Sequence, residues 1–157
     1  MAERKAASIR EVEKLLLRLD EARASLVQAL KGFDPSRFAN ESGDGESLKR
    51  TLERTADDVN FYYGRLVARA MSLPQPPCLQ RADFSSLREA TVSVQVAHRR
   101  FSNLLHDLVA SDLERKAADP ELGSYTLRQI LGMATAHYDL RTQQVSRLRE
   151  ETAGASK

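Results

Sequence analysis

The chain has 157 residues, of which 41% are hydrophobic and 29% charged, enough for one domain around one core and too few for two. Its 24 basic and 22 acidic residues are mixed along the sequence for a formal charge of +2, and the densest basic clusters, His98-Arg99-Arg100 and Arg147-Leu148-Arg149, are short, which argues against a nucleic-acid partner. A single cysteine, Cys78, excludes an internal disulfide and a cysteine-based zinc site; the amino terminus has no apolar core and no stretch approaches the ~20 apolar residues of a membrane span, so no membrane partner and a cytoplasmic location are expected.

With 7 glycines and 5 prolines the composition favours helices, and four segments carry helical periodicity. The first opens at Ser8, which fits a capping box with Glu11, and continues through Ile9, Val12, Leu16, Leu19, Leu26, Leu30 and Phe33; Arg23 interrupts the stripe and Gly32 offers a stop. A polar connection, 34–46, comes next. Helix 2 is expected from about Ser47 to Met71 on Leu48, Leu52, Thr55, Val59, Tyr62 and Leu66. The second linker, Ser72 to Ala82, holds Pro74, Pro76 and Pro77, which forbid helix and favour an extended run. A helix 2 of about 25 residues spans ~37 Å and eleven extended residues reach ~36 Å, so the linker is able to climb the bundle and leave helices 2 and 3 parallel; a loose antiparallel turn is the alternative. Helix 3 opens with a second capping box, Ser86 with Glu89, and repeats Leu87, Val94, Phe101 and Leu108 at sevens, with Thr91, His98 and Leu105 between them. Helix 4 opens with a third, Thr126 with Gln129, and carries Leu127, Leu131, Ala134, Tyr138, Arg141, Val145 and Leu148. The expectation is a single domain over residues 1–157, with the bundle at about 8–150 and a frayed tail from Glu151 to Lys157. Phe61 on helix 2 and Val92 and Val96 on helix 3 point away from the seams and suggest a second apolar face, hence a homodimer.

The stretch from Gly123 onward carries a more specific pattern: Gly123, Thr126-Leu127, His137, and Gln144-Val145. It resembles the fourth helix of the DinB (damage-inducible) family of four-helix bundles, where a glycine precedes a Thr-Leu helix start, followed by a histidine, three residues, a second histidine, two residues, and glutamine with an apolar residue. The likeness runs from Ser8 to Arg149 and implies an all-α, up-down-down-up four-helix bundle with a crossover between helices 2 and 3. It also implies a divalent metal, zinc or nickel, held by that histidine pair and a third histidine from helix 2. The activities it implies are metal-dependent transfer, isomerisation or hydrolysis with low-molecular-weight thiols. This chain departs from the pattern at two ligand positions. Arg141 stands where the second histidine would be, and alignment on Ser47-Leu48-Lys49-Arg50 puts Glu46 at the usual tryptophan and Arg54 at the third histidine.

Neutral imidazoles at i and i+4 on one helix face, with a third donor from a facing helix, hold a divalent ion and leave positions open for water or substrate. A guanidinium has no lone pair and would repel the ion. His137 is the one ligand position of that family retained; His98, in the seam, is expected to be packed or hydrogen-bonded, and His106 to lie on the surface. No cofactor is therefore expected, with a divalent metal as the alternative. Arg141 falls in an apolar stripe and needs a counter-charge: Asp58 or Asp57 of helix 2, Asp20 of helix 1, or a bound anion. Two functions are consistent with these residues. One is a binding or interaction protein, not an enzyme, in which His137, Arg141 and Arg54 hold an anionic small molecule; the other is a metal-dependent thiol transferase, isomerase or hydrolase. Nucleophilic catalysis has no support, since Cys78 comes after two prolines with no histidine nearby in sequence and no Gly-x-Ser-x-Gly motif or phosphate-cradling loop is present.

Overall fold

The computed structural model describes residues 2–75 and 80–154, and of residues 4–8 and 152–154 the backbone alone. Helix α1 spans Ala2–Leu30, so it starts before Ser8, whose side chain lies outside the described ones; Ile9 is exposed and outside the seam. Helix α2 starts after Ser47, whose hydroxyl accepts the Arg50 amide at 3.1 Å, and has three parts: an α segment Leu48–Asp58, a π turn Val59–Tyr63 and a second α segment Gly64–Ala70. Helix α3 spans Leu87–Asn103; the Ser86 hydroxyl accepts the Glu89 amide at 3.1 Å, while the Glu89 carboxylate accepts the amide of Ser85, one residue earlier than in a capping box. Helix α4, Leu127–Gly154, opens with the complete box: Gln129 N–H donates to the Thr126 hydroxyl at 3.1 Å and Thr126 N–H to the Gln129 side chain at 2.9 Å. The helix continues to Gly154, past the point where fraying is expected from sequence.

Polar contacts between the helices set their directions. Glu11 near the start of α1 pairs with Arg128 at the start of α4, and Gly32 just beyond α1 lies so close to Arg149 that a Cβ there would collide with the guanidinium, so α1 and α4 run parallel. Lys49 reaches Asp83 at 2.7 Å, Glu53 accepts the Phe84 amide at 2.8 Å and Asp57 accepts the Ala82 amide at 2.9 Å, which sets the start of α3 beside the start of α2. Those two helices are parallel as well. Arg65, late in α2, meets Asp119 and Glu121 just ahead of α4, so α2 and α4 are antiparallel. The fold is an all-α, up-down-down-up four-helix bundle, and the linker after α2 is a crossover that returns along that helix. Pro76, Pro77 and Cys78 lie outside the described residues.

Two expectations change. Phe61 does not anchor an open apolar face: it is half-buried with the Arg81 guanidinium 4.1 Å above its ring, a cation–π contact made by the crossover itself. Val92 alone of the three candidate anchors is exposed. The approach to α4 is also more ordered than periodicity suggests. Strands β1 (Lys116–Asp119) and β2 (Gly123–Thr126) form an antiparallel hairpin with Asp119 opposite Gly123, whose φ of 102° suits glycine.

The hairpin is tied down by one carboxylate. Asp119, its side chain fully buried, accepts the amides of Glu121 and Leu122 at 2.9 and 3.1 Å and receives Arg65 Nε at 2.8 Å and Arg69 Nε at 2.7 Å. Burial alone would raise its pKa; the two amides and two guanidiniums outweigh that and hold it below the ordinary value. Behind the hairpin, Leu19, Leu26, Leu52, Leu66, Phe101, Leu131 and Val145 belong to one continuous core. Among the described residues no helix is long and apolar enough to cross a membrane.

Candidate functional site

Helix α4 carries three polar side chains into this core within about one turn: His137, Tyr138 and Arg141. Arg141 Nη2 lies 3.2 Å from Asp58 Oδ2, and Nη1 donates to Gln144 Oε1 at 2.9 Å. Of the counter-charges considered from sequence, Asp58 is the one that meets it; Asp57 serves the crossover and Asp20 serves His98. The guanidinium is the deeper partner, 12% exposed against 44% for Asp58. His137 Nδ1 stands 3.8 Å from the same Asp58 oxygen, too far for a hydrogen bond. Burial first, and the Arg141 charge second, push its imidazole down to about 4 against the opposing pull of Asp58. His137 is therefore neutral at physiological pH. Its Nε2 and the Nε of Arg141 are buried without a hydrogen-bond partner among the described residues.

The π turn supplies the aromatic wall. Gly64 N–H donates to the Val59 carbonyl, and a Cβ on Gly64 would lie only 3.0 Å from that oxygen. The extra residue in the turn rotates the remainder of the helix, so Tyr63 is buried where simple periodicity places Tyr62. The Tyr63 ring centroid is 5.3 Å from that of His137, and burial pushes the phenol up to about 12.

A second polar chain crosses the core on the other side of α4. His98 Nε2–H donates to Asp20 at 3.0 Å, leaving Nδ1 to accept the Tyr138 hydroxyl at 2.8 Å. Burial lowers the His98 pKa despite the Asp20 carboxylate, and burial raises that of Tyr138. Arg54 is not part of either group. Its side chain is 55% exposed and paired with Glu46 at 3.0 Å, so the residue of α2 that faces His137 and Arg141 is Asp58, one turn further on.

The donors do not fit the divalent ion that the sequence resemblance implies. One imidazole is present, the nearby carboxylate already faces a guanidinium, and among the described residues no three His, Cys, Asp or Glu side chains are grouped to hold a metal. A hollow of about 90 Å³ beside Gln144 is lined by Asp44, Glu46 and Glu151 as well as Arg147, and that mixture gives no preference for an anion.

No family model matches the sequence, and no curated protein matches it. Among solved structures the chain is similar to YfiT from Bacillus subtilis, described as "a probable metal-dependent hydrolase with an unusual four-helix bundle topology", with a TM-score of 0.64 over 88% of this chain and 87% of that one. The chain shares the four-helix bundle fold of YfiT. At 20% sequence identity the likeness to YfiT carries the fold and not the activity.

Unequal burial makes the ion pair asymmetric. Asp58→Asn strands a buried guanidinium and is expected to cost roughly 1–3 kcal/mol, discounted for the exposure of Asp58. Arg141→Leu leaves a carboxylate that water can reach and should stay within about 1 kcal/mol of wild type. Urea denaturation of both variants and the double variant checks this order, and an equal loss in both would contradict it.

His137 gives a pH dependence of fixed sign. Its folded pKa lies below its unfolded value, so the unfolded chain binds more protons between about 4 and 6.5. The contribution is complete above pH 6.5 and is lost as the pH falls towards 4, by at most about 1.4 kcal/mol per unit. Relative to His137→Gln, wild type should lose stability over that window; superimposable pH profiles would refute the assignment.

Proposed function

We propose that this protein is a binding or interaction protein built on the DinB-like bundle, with an internal ion pair in place of the metal centre and no metal-dependent catalysis. The observation that carries this reading is the 3.2 Å contact between Arg141 and Asp58. It joins the position where a second histidine would be needed to the helix that would supply the third, and neither group can then serve a cation freely. An anionic small molecule is the ligand class in keeping with the arginine substitutions. At Arg141 itself such an anion would have to displace Asp58, so His137, Arg141 and Arg54 are weaker candidates for holding it than the sequence alone suggests. A homodimer belongs to the same reading, with the exposed Val92 face of α3 as its contact.

The second reading, a metal-dependent hydrolase, is favoured by the description of YfiT. Metal analysis of protein purified without an affinity tag separates the two. The proposal expects no near-stoichiometric zinc or nickel; metal that binds wild type and is lost in His137→Ala would replace the first reading with the second. Light scattering should give a dimer mass that falls on Val92→Asp. A monomer mass at every concentration would remove the dimer.

A further inference from the structure

A cleft of about 680 Å³ lies away from α4, between the end of α1, the loop after it and the start of α3. That is within the range of small-molecule sites, roughly 300–1,000 Å³. Leu30, Phe33, Phe38 and Leu87 form its apolar floor, and each is buried against the core. Two cations, Lys31 and Arg88, stand on its lining, and neither has a carboxylate partner among the described residues. No described acidic residue lines the cleft, although the chain as a whole carries 22 acidic against 24 basic residues. The nearest acids in sequence, Asp34 and Glu89, do not line the cleft themselves, and each accepts a hydrogen bond from a lining serine, Ser36 and Ser85 respectively, with Arg37 also beside Asp34.

We propose that this cleft binds a free single-chain amphiphile with an anionic head, its apolar chain on the aromatic and leucine floor and its carboxylate or phosphate between Lys31 and Arg88. A concave apolar floor beside two unmatched cations selects both halves of such a molecule, and charge-assisted bonds from the guanidinium fork would orient the head. A second copy of the chain is a poorer occupant, because a two-fold contact would bring like charges together. The inference extends the binding-protein reading but uses none of the residues around His137, so each can fail without the other.

Decanoate, decanol, inorganic phosphate and phosphatidylglycerol vesicles are the probes, titrated calorimetrically against the full chain. Decanoate should bind saturably with one site per chain, and decanol and phosphate each at least about tenfold more weakly, since each lacks one half of the recognition. Lys31→Ala with Arg88→Ala, both at exposed positions, should weaken decanoate by about tenfold or more and leave decanol unchanged. Thr91→Trp, which fills the cleft from its half-buried wall, should weaken both chains while the circular dichroism stays helical. Equal affinity for decanoate and decanol, unchanged binding in the double variant, or binding to vesicles without binding to free decanoate would overturn the proposal.

Discussion

One turn of α4 brings His137, Tyr138 and Arg141 into an apolar core, and α2 and α3 supply partners to Arg141 and Tyr138 there, while His137 Nε2 and Arg141 Nε stay without a hydrogen bond among the described residues. A buried polar group without a partner costs about 1–3 kcal/mol, and a buried charge more. Asp58 of α2 faces Arg141 and His137; His98 of α3 accepts the Tyr138 hydroxyl; Asp20 of α1 accepts from His98. The hydrophobic seams alone would tolerate a helix sliding by one turn. These contacts do not, because a shift of any helix separates a donor from its acceptor.

The connections obey a similar constraint. Parallel α2 and α3 require a chain that returns the length of the bundle, and an extended run of that length exposes backbone amides that need acceptors. Glu53 and Asp57 of α2 supply two, at Phe84 and Ala82, and Phe61 supplies a ring under Arg81. At the other end Asp119 joins Arg65 and Arg69 of α2 to the hairpin that leads into α4. The π turn matters to both tasks, since one inserted residue changes the face on which everything after Val59 is presented.

The chemistry of the central group differs from that of an open metal site. A metal centre needs neutral imidazoles converging on a space that water can enter. Here one imidazole is kept neutral by burial, and the space beside it holds a guanidinium already facing its carboxylate. Such a group supports packing and register. Lys31 just after α1 and Arg88 in the first turn of α3 stand instead beside a concave apolar surface.

Much of this was legible in the sequence. Ser86 and Thr126 mark the starts of α3 and α4 because an N-terminal amide has a local partner within three residues, and the seam of α4 is buried nearly as its periodicity predicts. The prolines of the linker forbid helix, and the Gly123 to Val145 pattern carried the fold. What the sequence could not specify was rotation and depth between helices. Periodicity assigns a face within one regular helix, so it misplaced Tyr62 and Tyr63 once the π turn broke the period. It offered Asp58, Asp57 and Asp20 alike as counter-charges for Arg141, and only the packed helices select Asp58 and leave Arg54 paired with Glu46 towards solvent. The hairpin, Asp119 and the Asp20–His98–Tyr138 chain likewise join residues tens of positions apart, and only the packed bundle decides which of many polar groups become neighbours.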